Sequence, residues 1–193
     1  MIRTGIGFDI HRFAPGRRLV LGGVEFASDV GLEGHSDADV LCHALADALL
    51  GAVADGDIGR HFPNSDPRWK DADSLELLRA VVERVRGKGY RVVNVDATVT
   101  AQRPKIAPRV AEMTARLAPV LNVAPDAVSV KATTMEGLGA IGRAEGIAVM
   151  AVATVEGRSK GVRIQKSEVR MQRPPLDGTR TRRRPAGHNG AGV

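Results

Sequence analysis

Residues 35–52 read HSDADVLCHALADALLGA, and the spacing of apolar residues in this stretch decides the predicted fold. From Ser36 onwards the apolar residues recur every three or four positions, which is the period of an amphipathic α-helix. Ser36 suits the N-cap of that helix, and Asp39 follows in a capping-box-like position. The predicted apolar face consists of Val40, Leu41, Ala44, Leu45, Ala48, Leu49 and Ala52.

Shorter patterns flank this helix on both sides. Residues 2–11 alternate as an extended segment, and residues 18–26 read as a short strand region around Gly22-Gly23. Residues 55–70 read as a long polar loop. Strands that alternate with helices predict an α/β (α+β type) fold, a single domain in which one mixed β-sheet packs against a layer of helices. The remaining predicted elements are a helix capped by Asp73 or Ser74 and ended by Gly87 and Gly89, a helix over residues 108–121, and strands over residues 90–101, 127–133 and 147–155.

The composition bounds the class of protein. The chain has 193 residues, of which 43% are hydrophobic and 3% aromatic, so we expect one domain with an aliphatic core. Its one cysteine, Cys42, excludes an internal disulfide and suits a reducing compartment. No apolar run reaches the roughly 20 residues that span a membrane, and the first residues lack the pattern of a signal peptide. The sequence therefore predicts a soluble, cytoplasmic protein.

The positive charge of the chain is concentrated near its carboxyl end. Residues 160–193 contain nine Lys or Arg and two acidic residues, a net +7, so the total of +6 leaves residues 1–159 at −1. The same segment has a Pro-Pro pair and no apolar period, which is typical of disorder. We therefore predict a domain over residues 1–157 and a basic, disordered extension over residues 158–193. A nucleic-acid-binding protein acting through this extension is an alternative, although only six aromatic residues are available for base stacking.

Four of the five histidines lie in the first third of the chain, at positions 11, 35, 43 and 61. Asp9 and His11 project from one face of an extended segment, because alternate residues of a strand share a face. His43 lies on the predicted helix, with Asp39 and Asp47 one turn to either side on a polar stripe. A carboxylate and two imidazoles form a three-ligand zinc set that leaves a fourth position for substrate or water. The alternative is a surface Asp-x-His with an unrelated helix histidine.

Two other segments suit phosphate groups. His35 and Ser36 open the predicted helix, where free backbone N–H groups and the helix dipole favour an anion; alternatively, Ser36 only caps the helix. Residues 131–136, KATTME, end a predicted strand with a cation, two hydroxyls and a carboxylate, and Arg143 follows in a glycine-rich segment. Glu136 suits a hard cation such as Mg²⁺, with a simple glycine-rich turn as the alternative. Together these residues indicate a metal ion and a polyphosphate, without defining the reaction.

Six sequence blocks follow one another along roughly residues 3–155: GFDIH, EGHSDADVLCHALADALLGA, GDIGRHFPNSDP, NVDATVTAQRPK, VKATTMEGLG and GRAEGIA. In order and spacing they resemble the 2-C-methyl-D-erythritol 2,4-cyclodiphosphate synthase family. The resemblance implies a homotrimer of α/β subunits, with active sites between subunits, in the non-mevalonate isoprenoid pathway. The implied reaction is a metal-assisted, intramolecular attack of the 2-phosphate of 4-diphosphocytidyl-2-C-methyl-D-erythritol 2-phosphate on the β-phosphorus of its diphosphate. CMP is released and the cyclic diphosphate forms.

The resemblance also implies roles for particular residues. Asp9, His11 and His43 match the family's zinc (Zn²⁺) ligands, and Glu136 matches the protein ligand of a second cation, Mg²⁺ or Mn²⁺. His35 and Thr134 match the transition-state stabilisers, and Ser36 and Arg143 match residues that contact phosphates. The positions matched to the methylerythritol end are Asp57, Ile58, Gly59, Phe62, Pro63, Asn64, Ser65 and Asp66. The positions matched to a cytidine pocket, which a neighbouring subunit contributes, are Ala101, Pro104, Lys105, Ile106, Ala107, Ala132 and Thr133, with Thr134.

Two points stay open at this level. A metal-dependent phosphohydrolase that activates a water molecule would use similar residues. Three positions also depart from the family pattern: Asn64 stands where many members have Asp, Met135 replaces a commoner Thr, and Ala140 stands where some members place a Phe that faces the trimer axis. None of these three is an implied metal ligand.

Overall fold

The computed structural model describes residues 1–157, so the predicted basic extension over residues 158–193 lies outside the described residues. The strands are β1 (Ile2–Pro15), β2 (Leu19–Leu21), β3 (Val24–Phe26), β4 (Val30–Leu32), β5 (Tyr90–Ala101), β6 (Val128–Thr133) and β7 (Gly146–Gly157). The helices are α1 (Val40–Ala52), α2 (Ile58–His61), α3 (Ser74–Gly87), α4 (Val110–Leu121) and α5 (Gly139–Gly142).

Five strands form one sheet in the order β4-β1-β7-β5-β6. Strands β5 and β6 run parallel and the other neighbours run antiparallel, so the sheet is mixed. Helices α1, α3 and α4 pack against it. The predicted α/β domain with a mixed sheet and a helical layer is therefore confirmed.

Strands β2 and β3 form a second sheet, which the sequence analysis did not predict as separate from the main sheet. The sequence pattern around Gly22-Gly23 correctly indicated strand structure there, but β2 and β3 form a hairpin of their own. Gly22 and Gly23 have φ values of 57° and 71°. A two-residue turn with positive φ at both positions matches the twist of the strands that it joins, which explains the hairpin.

Helix α1 begins three residues later than the sequence analysis placed it. Its N-cap is Asp39, whose carboxylate accepts the N–H groups of Leu41 and Cys42 at 3.1 Å each. The prediction of Ser36 as N-cap was therefore wrong, and at least two of the N–H groups expected to be free at the helix start are occupied. Asp39 is fully buried and also accepts the Gly23 N–H at 2.7 Å, so it joins the β2–β3 hairpin to α1. The predicted polar stripe of Asp39, His43 and Asp47 therefore starts with a buried residue.

The longer elements lie close to their predicted positions. Helix α3 has Asp73 as its N-cap, and β5 has the predicted bounds. Helix α4 starts two residues late, because the residues before it, Ala107–Arg109, form a 3₁₀ turn.

Short elements account for the remaining differences. The segment over residues 55–70 was predicted as a loop throughout, but it contains α2 and a 3₁₀ turn over Pro67–Trp69. Strand β4 and helix α5 were also missed. Elements of three or four residues are too short to show a period in the sequence.

Two glycines set the distance between the sheet and α1. Gly5 and Gly7 lie on the face of β1 that meets this helix, and a Cβ on either would lie 2.0 Å from a backbone oxygen, that of Ala48 or Ala44 respectively. Only a residue without a side chain permits this approach. The helix backbone therefore rests directly on β1, and the surrounding core is aliphatic, as predicted.

The opposite face of the five-stranded sheet, which we call the outer face, divides into two halves. The half formed by β5 and β6 is polar and includes an ion pair between Asp96 and Lys131. The half formed by β1 and β7 carries exposed apolar side chains, namely Ile6 (65% exposed), Phe8 (56%), Ile10, Met150 and Val152. None of the helices within residues 1–157 combines the length and the apolar character needed to cross a bilayer.

Candidate metal centre

Three predicted metal ligands meet where β1 packs on α1. Asp9 and His11 follow Gly5 and Gly7 on the same face of β1, since alternate residues of a strand share a face. Almost all of α1 is buried, and His43 is one of its few positions outside the core. The close approach at the glycines brings this histidine beside the two strand residues.

The three ligand atoms form a compact triangle. Asp9 Oδ2 lies 3.0 Å from His11 Nε2 and 3.1 Å from His43 Nδ1, and the two imidazole nitrogens lie 3.2 Å apart. Within residues 1–157, no other group of three or more His, Cys, Asp or Glu side chains converges in this way.

The triangle fits a tetrahedral cation. Zinc bonds of about 2.0–2.2 Å to nitrogen and oxygen place neighbouring ligand atoms of a tetrahedron about 3.3–3.6 Å apart. The observed separations of 3.0–3.2 Å need to open by only a few tenths of an ångström. The residues therefore fit a divalent cation with three protein ligands and one position left for another ligand.

The electrostatics of the cluster favour a cation. Burial acts to raise the pKa of Asp9, but hydrogen bonds from His11 and His43 outweigh it and hold this pKa well below its ordinary value. Burial acts to lower the pKa of His43, but the hydrogen bond and charge of Asp9 outweigh it and raise this pKa. The carboxylate is therefore ionised and attracts positive charge, either protons on the imidazoles or a metal ion.

A cavity of about 210 Å³ opens beside the cluster. Some predicted substrate residues lie next to it without lining it: Asp57 caps α2 by accepting the Arg60 N–H, and Asp66 pairs with Arg68. Pro63 and Ser65 belong to the turn that ends at Asp66. The predicted residues that do line the cavity are His35, Ser36, Ile58, Gly59, Phe62 and Asn64, together with the three metal ligands.

Several residues of the cavity were not predicted. Asp47 follows His43 by one turn of α1, and its Oδ1 accepts the Ile58 N–H at 2.7 Å, so it fixes α2 against α1. Burial is the main cause that raises the pKa of Asp47. The four-residue spacing from His43 was the signal that could have identified it. Gly34, Trp69 and Leu77 also line the cavity, and we see no sequence signal for them.

A second set of predicted site residues lies elsewhere in the chain. Thr134 Oγ1 donates to Glu136 Oε1 at 2.8 Å, and Arg143 Nε donates to Glu145 Oε1 at 2.6 Å, all on the exposed segment between β6 and β7. None of these residues lines the cavity beside the metal ligands of the same chain.

The predicted cytidine-pocket residues share one end of the sheet with His11. Ile147 on β7 pairs with His11 on one side and with Ala101 on the other, and Thr133 pairs with Thr100 on β5. The lining of the cavity includes none of Ala101, Pro104, Lys105, Ile106, Ala107, Ala132 and Thr133.

The fold and the site define an α/β protein with a candidate divalent-metal centre beside a small cavity. The chain belongs to the YgbB family, whose model matches residues 2–156. Several of its relatives are named 2-C-methyl-D-erythritol 2,4-cyclodiphosphate synthase, so the resemblance stated from the sequence is confirmed.

Three comparisons illustrate this membership. The synthase of Salinibacter ruber is 59% identical over 155 residues, which cover 80% of this chain and 99% of the relative. The bifunctional enzyme IspD/IspF of Anaeromyxobacter dehalogenans is 60% identical over 152 residues, 79% of this chain. The match covers only 39% of that enzyme, so this chain spans about two-fifths of the length of such bifunctional relatives. The solved IspF of Plasmodium falciparum in its CDP complex has a TM-score of 0.71 at 34% identity, over 81% of this chain and 96% of that one.

Proposed function

We propose that this chain converts 4-diphosphocytidyl-2-C-methyl-D-erythritol 2-phosphate into 2-C-methyl-D-erythritol 2,4-cyclodiphosphate and CMP, in the non-mevalonate isoprenoid pathway. The observation that carries the proposal is the convergence of Asp9, His11 and His43 beside a cavity, in a chain 59% identical to a relative named for that product. An oxygen of the 2-phosphate bonds to the β-phosphorus, and the bond from that phosphorus to the CMP oxygen breaks. CMP takes the electron pair, so no water is consumed.

The reaction asks the chain for positioning and charge neutralisation, because the nucleophile is already an anionic phosphate. Asp9, His11 and His43 would hold a divalent cation, which we propose is zinc, and it would supply Lewis-acid stabilisation of phosphate charge. His35 and Ser36 line the same cavity and are proposed to donate hydrogen bonds to phosphate oxygens. Buried Cys42 takes no part, since its thiol donates to Asp39 at 3.3 Å inside the core, and burial raises the pKa of this thiol well above its ordinary value.

We further propose that the active site is completed by a neighbouring subunit in a homotrimer. Thr134, Glu136 and Arg143 are exposed and lie outside the cavity of their own chain, which is consistent with contributing to another chain's site. Glu136 would hold the second cation, Mg²⁺ or Mn²⁺, through its carboxylate. The cytidine pocket would come from the same neighbour, and the relative solved in a CDP complex supports a cytidine-containing ligand.

The apolar half of the outer face supports the trimer. Exposed Ile6, Phe8 and Ile10 alternate along one strand and adjoin Met150 and Val152 on the next. Contiguous apolar patches of this kind mark association surfaces in soluble proteins. A second and a third copy of the chain would bury them.

A product assay tests the proposed reaction. The chain, loaded with zinc and Mg²⁺, is incubated with the authentic substrate, and the products are weighed by mass spectrometry in water enriched in ¹⁸O. The proposal expects CMP and a cyclic diphosphate, neither carrying ¹⁸O. Label in a linear product would instead identify the phosphohydrolase alternative.

Mixed trimers test the shared site. Chains carrying His43→Ala and chains carrying Lys105→Glu, each inactive alone, are unfolded together, refolded and isolated as mixed assemblies. Some sites then pair an intact metal centre with an intact cytidine pocket, so activity returns. Verified mixed trimers without activity would contradict a site shared between subunits.

The predicted cellular location and the predicted nucleic-acid binding both remain untested predictions. A cytoplasmic location is an expectation from the sequence. Nonspecific nucleic-acid binding through residues 158–193 concerns a segment outside the described residues.

A further inference from the structure

His43 presents different neighbours to its two ring nitrogens. Nδ1 faces Asp9 and His11, whereas Nε2 lies 3.1 Å from Ser74 Oγ and 3.1 Å from Ser36 Oγ. Ser74 is the first residue of α3, and only 1% of it is exposed. A hydroxyl from a helix 31 residues further along the chain therefore contacts the back of a candidate metal ligand.

The single proton of the Ser74 hydroxyl is already committed. Ser74 Oγ donates it to Asp37 Oδ1, and the Ser74 N–H donates to Asp37 Oδ2 at 3.1 Å. A serine hydroxyl has one proton, so towards His43 the oxygen of Ser74 can only accept. The donor in that contact must be the N–H of His43 Nε2. With the proton on Nε2 held in this way, Nδ1 is the nitrogen at which a cation can take the place of the proton shared with Asp9.

Capping of α3 does not account for this hydroxyl. The N-cap is Asp73, whose carboxylate accepts the Leu75 N–H at 2.8 Å. Asp37 is itself held in place, because its Oδ1 accepts the Asp39 N–H at 3.1 Å and its own N–H donates to Ala72 at 3.1 Å. The geometry thus forms a chain of contacts from Asp37 through Ser74 to His43.

We propose that Ser74, oriented by Asp37, is a positioning residue that accepts the Nε2–H of His43 and thereby fixes the ring with Nδ1 towards a divalent cation. The inference rests on the proposed metal site and adds the two residues that prepare it. Outer contacts of this kind typically change metal affinity by about 10–100-fold.

The test compares zinc binding by the full chain and its variants Ser74→Ala, Ser74→Thr and Ser36→Ala, by competition with a chromophoric chelator. Ser74→Ala should bind zinc about 10–100-fold more weakly, and Ser74→Thr, which restores a hydroxyl, should recover most of that loss. Ser36→Ala removes a hydroxyl at the same distance whose proton is not committed to a carboxylate, so its loss should be smaller. Thermal unfolding of the metal-free variants shows whether each one folds.

A spectroscopic readout separates orientation of the ring from general packing. Long-range ¹H–¹⁵N spectra of the zinc-loaded chain should show a proton on His43 Nε2 that exchanges slowly with solvent in the wild type and faster in Ser74→Ala. Asp37→Asn is a second test of the same contacts, used if Ser74→Thr does not fold: it weakens the acceptor of the Ser74 hydroxyl, so weaker zinc binding is expected.

The outcomes distinguish the inference from the proposed function. A wild-type chain that binds no zinc would overturn the metal site itself. A wild-type chain that binds zinc, with Ser74→Ala binding equally well and showing the same exchange of the His43 Nε2 proton, would overturn only the positioning role.

Discussion

The two faces of β1 differ in a way that hydrophobicity alone would not predict. The face that meets α1 carries Gly5, Gly7, Asp9 and His11, while the outer face carries exposed apolar side chains such as Phe8. The small and polar residues are thus the ones packed against a helix. The comparison teaches that backbone proximity and ligand geometry decide the helix-facing side, whereas the outer side keeps the exposed apolar side chains that we propose contact other chains.

The largest expected effect concerns the ligands on the helix-facing side. His11→Ala should lose the cation and reduce cyclisation by more than about 100-fold, because even the loss of an outer contact to a ligand costs metal affinity on that scale. Ile10→Val, one position away on the outer face, should retain both. Metal analysis and steady-state kinetics measure the difference. Equal metal content in the two variants would remove His11 from the ligand set.

The next effect concerns the glycines beneath α1. Gly7→Ala should lower the free energy of unfolding by more than about 2 kcal/mol, because the new Cβ would overlap a backbone oxygen at 2.0 Å. Gly51→Ala is the matched control: its Cβ meets the nearest atom at 3.7 Å, so the higher helix propensity of alanine should give about 0.5–1 kcal/mol of stabilisation. Thermal unfolding checks both. A Gly7→Ala chain as stable as the wild type would show that α1 can move away from β1 at little cost.

A smaller effect is expected from a charge on the apolar half of the outer face. Phe8→Asp should lower the molar mass in solution from three chains towards one, while zinc binding by Asp9, His11 and His43 persists. Thr98→Asp, in the same cross-strand row on the polar half, serves as the control and should leave the assembly intact. Light scattering and metal analysis give the two readouts. A trimeric Phe8→Asp protein would place the interface elsewhere.

The smallest effect is a difference in pH dependence between metal-free and metal-loaded protein. Burial of His43 acts to lower its pKa, but Asp9 raises it. The interaction of protonated His43 with Asp9 therefore stabilises the metal-free protein fully below the ordinary pKa of 6.5. That contribution is lost as the pH rises through the raised pKa. A cation bound at Nδ1 replaces the proton and should remove this loss, so only the metal-free form should lose stability as the pH rises through the raised pKa. Parallel pH profiles of unfolding for the two forms would contradict the assignment.

The candidate site was predictable where it depends on local periodicity. Asp9 and His11 share a face because they lie two residues apart on a strand, and His43 occupies a polar position of a helix whose apolar spacing is clear. Asp39 shows the limit of this reasoning: the sequence pattern put Ser36 at the N-cap and Asp39 within the first turn, whereas Asp39 is the N-cap and also accepts the Gly23 N–H. The sequence contains no direct record of such a contact.

The sequence by itself determined the type of most long elements, the aliphatic core and the residues able to bind a cation, because periodicity and side-chain chemistry are local properties. Only the tertiary structure decided that α1 rests on Gly5 and Gly7, and that Ser74 contacts His43 from a helix 31 residues away. It also decided that the apolar side of β1 faces outward. These outcomes depend on which surfaces meet when strands and helices pack, and that depends on the whole chain.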